Sequence, residues 1–174
     1  MPFTNTAASA DTCVVTDFYA ASRLDLLWQL FPDGLWLDAS VLLELHDMHG
    51  ENILQALSGF TPPHRVEKHW EDSDYELMRT IKSRHRALTH PDIASVVLAH
   101  KYGITCLSSD AALFKTCGEY GVPAVRHVGL LDESISRDLI VPTDALTLLE
   151  GFVADGLFLP IALIEERRQR WSGS

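Results

Sequence analysis

Short apolar runs alternate with amphipathic segments along this chain, and that alternation predicts an α/β fold with a central parallel sheet, helices on both faces and C-terminal helices. Three observations carry the prediction. "LWL" at 35 to 37, "GITCLSS" at 103 to 109 and "PAVRHV" at 123 to 128 read as buried strands. The segments between them have helical periodicity with acids at their starts and glycines after their ends. No internal repeat, low-complexity tract or linker divides the 174 residues, so a single domain over 1–174 is expected, with a core of about 2–128 and a helical tail over 129–174.

In chain order, "FTNTAASA" supplies a weakly apolar first strand. Residues 12 to 21 then make a helix whose Val14, Val15, Phe18 and Ala21 share one stripe. "RLDLLWQLF" continues as a second helix and leads to the "LWL" strand. Further helices fit 39 to 47, 73 to 84, 92 to 101 and 110 to 119, with Asp92 and Asp110 at plausible starts. Two more, near 143 to 155 and 160 to 171, follow "PTD" and end before Gly156 and Gly173. In parallel sheets of this kind the working site lies at the carboxyl ends of the strands.

Composition narrows the function. No apolar run approaches the roughly 20 residues that span a bilayer, and "MPFTNTAASA" lacks the basic start and apolar stretch of a signal peptide, so no membrane association and a cytoplasmic location are expected. Cys13, Cys106 and Cys117 have no CxxC spacing and read as reduced, packed thiols. A net charge of −10 opposes nucleic-acid binding through the overall field but leaves room for a local basic groove. "RTIKSRHR" at 79 to 86 is the candidate, with Arg79, Lys82, Arg84 and Arg86 set to follow RNA phosphates. Its plain alternative is a solvated helix face beside the acids of "EDSDYE", and Arg167, Arg168 and Arg170 form a second cluster near the end of the chain.

The strand-end rule also selects among 24 acidic residues. Asp110 follows "ITCLSS", Glu44 lies in the first turns after "LWLDAS", and Asp92 opens the apolar helix "DIASVVLAHKYG". Taken singly, Asp92 and Asp110 could equally be helix caps or first-turn acids. Taken together, "DTCVV", "LLEL" and "HPDIASVVLAHKYGITCLSSDAALFKTCGEYGVP" resemble the PIN-domain nucleases, which place an acid after the first strand, a glutamate in a following helix and two later aspartates. Ser108, two positions before Asp110, matches the Ser or Thr of that family's last motif, and residues 129 onward are similar to the helical tail of its toxin-related prokaryotic branch.

The first acid is Asp11 or Asp17. Asp17 leaves only "FYAAS" before the next helix, whereas Asp11 leaves room for an intervening one and opens "DTCVV", similar to the family's Asp-Thr-Asn or Asp-Thr-Ser. Asp11 is preferred, although Cys13 replaces the usual Asn or Ser. On a helix, Asp17 would stand about 9 Å along the axis and about 240° around it from Asp11, out toward the helix surface.

Clustered carboxylates need a cation, and oxygen donors without His or Cys suit Mg²⁺ or Mn²⁺. Such an ion can hold a phosphodiester, acidify a water for in-line attack and stabilise the leaving oxygen. The resemblance implies an endoribonuclease in which Asp11 and Asp110 contact the metal, Glu44 and Asp92 are further ligands or orient water, and Ser108 hydrogen-bonds that shell. It also implies an RNA substrate and a small antitoxin as protein partner, with a homodimer as a further candidate assembly. The competing reading is a catalytically silent PIN-like module that binds RNA or protein. A zinc site at His46 and His49 in "ELHDMHG" has no third ligand indicated by spacing.

Overall fold

The computed structural model describes residues 4–172, in an α/β arrangement with a four-stranded, all-parallel sheet. The first half runs β1 (Ala8–Ala10), α1 (Thr12–Ala20), α2 (Leu24–Leu30), β2 (Leu35–Trp36), α3 (Ala39–His49) and α4 (Glu51–Ser58). The second runs α5 (Asp72–Arg84), α6 (His90–Tyr102), β3 (Thr105–Leu107), α7 (Ala111–Glu119), β4 (Ala124–Val125), α8 (His127–Ser136), α9 (Pro142–Ala154) and α10 (Ile161–Ser172). Phe3, expected to open the first strand, and Gly173, expected after the last helix, lie outside the described residues.

Strand order is β2-β1-β3-β4. The chain winds one way from β1 to β2 and the other way from β3 to β4, so the direction of winding reverses between β1 and β3. A crevice opens at the carboxyl ends of strands at such a reversal. Ala8, Ser9 and Ala10 pair with Thr105, Cys106 and Leu107 across this line. Alternation along the strands sends Ala8, Ala10, Leu35 and Leu107 into one core with α1, α2, α3 and α8. Cys106 faces the other core, with α6 and α7.

Local chemistry sets the element boundaries. Asp11, Asp38 and Asp110 cap α1, α3 and α7, while Thr89 and Asp92 form a reciprocal capping box on α6, with Pro91 in its first turn. Gly103 ends α6 with φ 62° and ψ 34°, a left-handed turn that starts β3 two residues later. The long connection before α5 is tied down as well. Arg65 exchanges backbone hydrogen bonds with Leu35 and Leu37 along the edge strand β2, and Lys101 reaches the His69 carbonyl and Asp74.

Two elements depart from the sequence expectation. The strand at "PAVRHV" stops at Val125, because His127 turns inward, fully buried, and stacks on Phe18 at 5.8 Å and against Phe152 at 5.1 Å. Helix α8 therefore begins at once, and Gly129 allows it close to the sheet, since a β-carbon there would meet Val125 Cγ1 at 3.0 Å. Helix α4 is the second addition. It follows α3 after a single residue, Gly50, whose positive φ turns the chain.

Among the described residues, no helix is long and apolar enough to cross a membrane. Phe18 is fully buried and joins α1 to the tail through Phe152, their ring centroids 5.1 Å apart. Phe18→Ala is expected to cost about 3–5 kcal/mol of folding free energy, read as a lower midpoint in urea. A midpoint unchanged within error would show that the tail helices are not packed on α1 in this way.

Candidate active site

Asp11 is the first residue past β1 and Ser108 the first past β3, side by side at the reversal point. The Asp11 amide donates to the Leu107 carbonyl at 3.0 Å, continuing the ladder between β1 and β3. The Ser108 hydroxyl, fully buried, donates to Asp11 Oδ2 and accepts from the Asp110 amide at 3.0 Å. Asp11 Oδ1 accepts from the Val14 amide at 3.0 Å, and Asp110 Oδ1 from Leu113 at 2.7 Å. One serine thus links the acid that starts α1 to the acid that starts α7. Glu44, one turn into α3, is held through Oε2 by the Thr12 hydroxyl.

These groups border a cavity of about 1040 Å³. Thr12, Cys13, Thr16 and Asp17 form its α1 wall, Glu44 and Asp47 its α3 wall, and Ser109 and Asp110 the start of α7. Arg126 and the Asp155–Pro160 connection complete the lining. Asp11 lies just beneath, only 2 % exposed. The amino ends of α1, α3, α6 and α7 all face this end of the sheet, and their partial positive charge favours acids there.

The expected site residues do not all behave alike. Asp11, Ser108 and Asp110 are brought together, and Glu44 joins them across the cavity through Thr12. Asp92 stands apart from the lining. Its Oδ2 accepts from the Thr89 amide at 2.7 Å and from the Thr89 hydroxyl at 2.8 Å, which is the capping role that sequence also allowed, although its charge still reaches Asp11. Arg79, Lys82, Arg84 and Arg86 are exposed on α5 and the turn after it, and none borders the cavity. Lys82 is partly consumed in holding that turn, donating to the Arg86 and Leu88 carbonyls.

Asp17 requires a correction. It does not project outward from the helix, because the 12, 13, 16, 17 face of α1 lines the cavity while Val14, Val15 and Phe18 fill the core. Asp17 Oδ2 sits 2.8 Å from His127 Nε2, an ion-pair distance without hydrogen-bond alignment. Arg126 and His127 were not anticipated either. The available signal was their position at the end of a strand, where the same rule had selected Asp11 and Asp110.

Burial is the main force on Asp11. It pushes the carboxyl up to about 6, with the Asp92 charge adding to it and the Ser108 and Val14 hydrogen bonds opposing it. Cys13, at the cavity wall, is pushed up to about 11 by desolvation and then by Asp11 and Asp17, so its thiol is a poor nucleophile.

The donor chemistry fits a hard divalent ion. Carboxylate and hydroxyl oxygens predominate in the lining, beside the Cys13 thiol and the Arg126 guanidinium, and neither Glu44 Oε1 nor Asp110 Oδ2 has a hydrogen-bond partner among the described residues. Among the described residues no group of three or more His, Cys, Asp or Glu is placed to hold a metal ion together. The zinc alternative gains nothing, since His46 faces Asp47 and Glu51 while the His49 ring packs edge-on against Tyr19. No protein-family model matches the chain, and no curated protein matches its sequence.

The raised pKa of Asp11 has a thermodynamic sign. The folded state binds this proton more tightly than the unfolded chain, so its stabilising contribution is complete below the ordinary value of 3.8 and is lost as pH climbs to about 6. Above that, the buried charge costs about 3 kcal/mol relative to the neutral form. Asp11→Asn keeps an oxygen for the helix cap but loses the acceptor for Ser108, so the readout is the pH dependence: relative to the parent, the metal-free variant should gain stability as pH rises from 4 to 8. Thermal unfolding across that range checks it. A stability difference between variant and parent that does not change between pH 4 and pH 8 would contradict the account.

Proposed function

We propose that this protein is a metal-dependent endoribonuclease of the PIN type, acting on RNA phosphodiesters at the carboxyl end of the sheet. The observation that carries the reading is the Asp11–Ser108–Asp110 linkage at the winding reversal, with Glu44 facing the same cavity. The order of the acids, the serine two positions before the last one and the resemblance of "DTCVV" and "SSDAALF" to that family support it.

Asp110 and Glu44 would hold Mg²⁺ or Mn²⁺ through their open oxygens, with Asp11 adding its charge from beneath. The bound ion would neutralise the acids and supply the Lewis acidity that phosphodiester hydrolysis needs. The protein's own groups do the positioning. Ser108 fixes the Asp11 carboxylate and the start of α7, and Thr12 orients Glu44. Asp11 must give up its proton before it can attract a cation, so metal affinity should fall as pH drops through about 6.

The resemblance to the toxin-related branch extends the proposal to a small antitoxin as partner and the cytoplasm as the place of action. A second reading, a PIN-like module that binds RNA or protein without cutting it, is favoured by one observation: Asp92 is committed to its capping box.

Purified protein should cleave single-stranded RNA with Mg²⁺ or Mn²⁺ and stop when EDTA is added, because unpaired bases are accessible where an A-form duplex is not. Asp110→Asn should lower the rate at least about a hundredfold with unchanged circular dichroism. Metal-bound protein that binds RNA but never cuts it would favour the silent module. Activity surviving EDTA or Asp110→Asn would remove the metal mechanism.

Replacing Arg79, Lys82, Arg84 and Arg86 together tests whether the strand continues onto α5. If they follow phosphates, RNA binding weakens for every sequence and its salt dependence flattens by about 0.7 in log–log slope per lost contact. A salt titration that overlays the parent's returns them to a solvated face.

A further inference from the structure

Arg126 is the cation of an otherwise acidic cavity, and among the described residues no carboxylate is in ion-pair range of it. Asp17, Glu44, Asp47, Asp110 and Asp155 all contribute to the same lining. Other cations that stand beside acids are paired with them: Lys101 with Asp74 at 2.7 Å, Arg167 with Asp132 at 2.9 Å, Arg168 with Glu150 at 2.8 Å. Arg65, Lys68, Arg79, Lys82, Arg84 and Arg86 also lack an ion pair among the described residues, but none of them borders a cavity that five carboxylates line. Arg126 is held by an aromatic ring, its central carbon 4.6 Å from the Phe114 centroid.

Its Nε is shielded from solvent and has no hydrogen-bond partner. That N–H is one arm of the planar fork with which arginine grips a phosphate side-on. An anion entering here must tolerate five neighbouring acids, which a phosphodiester does when a divalent cation accompanies it.

We infer that Arg126 is the phosphate-holding residue of this cavity, its Nε and terminal nitrogens gripping a phosphate of the RNA strand whose neutralising cation sits on the carboxylates. The assignment rests on the nuclease reading for the identity of the strand. It adds a binding residue outside the acidic set.

Two measurements test it. In the ¹⁵N-labelled protein with Mg²⁺, titration with inorganic phosphate and then with a single-stranded oligoribonucleotide in Ca²⁺ should shift the Arg126 Nε–H signal saturably. That signal is assigned by its loss in Arg126→Lys. Fluorescence anisotropy of the same labelled strand in Ca²⁺ should show Arg126→Lys and Arg126→Met binding about tenfold or more weakly, whereas Arg168→Lys, engaged with Glu150, binds as the parent does. An Nε–H signal unmoved by both ligands, or variants that bind as tightly as the parent, overturns the assignment. Should Arg126→Met fail to fold, the titration of the parent protein still decides. A strand gripped through Arg126 but uncut with any divalent metal would remove the nuclease reading and leave the Arg126 site standing.

Discussion

The Ser108 hydroxyl is the interaction on which the site depends. It has one proton to give, and Asp11 takes it; it keeps a lone pair, and the Asp110 amide uses it. Through that one oxygen the ends of β1 and β3 hold each other in register beyond their last ladder pair, and α1 and α7 leave the sheet from fixed, adjacent points. The oxygen is out of contact with water, so losing either partner would leave a buried polar group unsatisfied, at about 1–3 kcal/mol. Packing alone could tolerate small slips between the two strands. This hydroxyl does not.

Capping and chemistry are not rival roles for the acids at this end of the sheet, because a carboxylate has two oxygens. Asp110 spends Oδ1 on the first turn of α7 and keeps Oδ2 open, and Glu44 spends one oxygen on Thr12. Asp11 has both engaged, which leaves it no open oxygen for a ligand in this arrangement. Asp92 gives Oδ2 twice to Thr89 and is not part of the cavity lining. The four acids that look equivalent in a motif are graded by how many of their lone pairs the backbone and its neighbours have claimed.

What could be read from the sequence divides along the same line. Caps are local, so the starts of α3 and α7 fall within a residue of the 39 and 110 expected, while α6, expected to open at Asp92, begins two residues earlier at His90 with Thr89 as its cap. The break between β1 and α1 was visible only indirectly, as room for a helix after Asp11. The end of β4 was not, because "AVRHV" alternates acceptably as a strand and only the tertiary pocket made by Phe18 and Phe152 turns His127 inward. The same holds for the cavity. Its acids at strand ends could be picked out by rule, but the side of α1 carrying Asp17 and the stacking that holds Arg126 depend on where α3, α7 and the tail come to rest. The basic block at 79 to 86 shows the converse, a clear charge pattern in sequence that the fold leaves outside the cavity.

The central strand is Ala-Ser-Ala, three of the smallest side chains, all fully buried. Ser9 donates to the Ser95 carbonyl on one side, while Ala8 and Ala10 face the opposite core. The sheet is therefore a thin membrane between two oily compartments, little more than a methyl group deep on each face at its centre. Helices can press in from both sides, and a shape change in either compartment has almost no intervening bulk to absorb it before it reaches the other. Asp11 is the next residue along that strand. A distortion of α6 or of α1 would be felt at the same carboxylate, which makes the carboxyl edge of this sheet a common endpoint for strain arising in either half of the molecule.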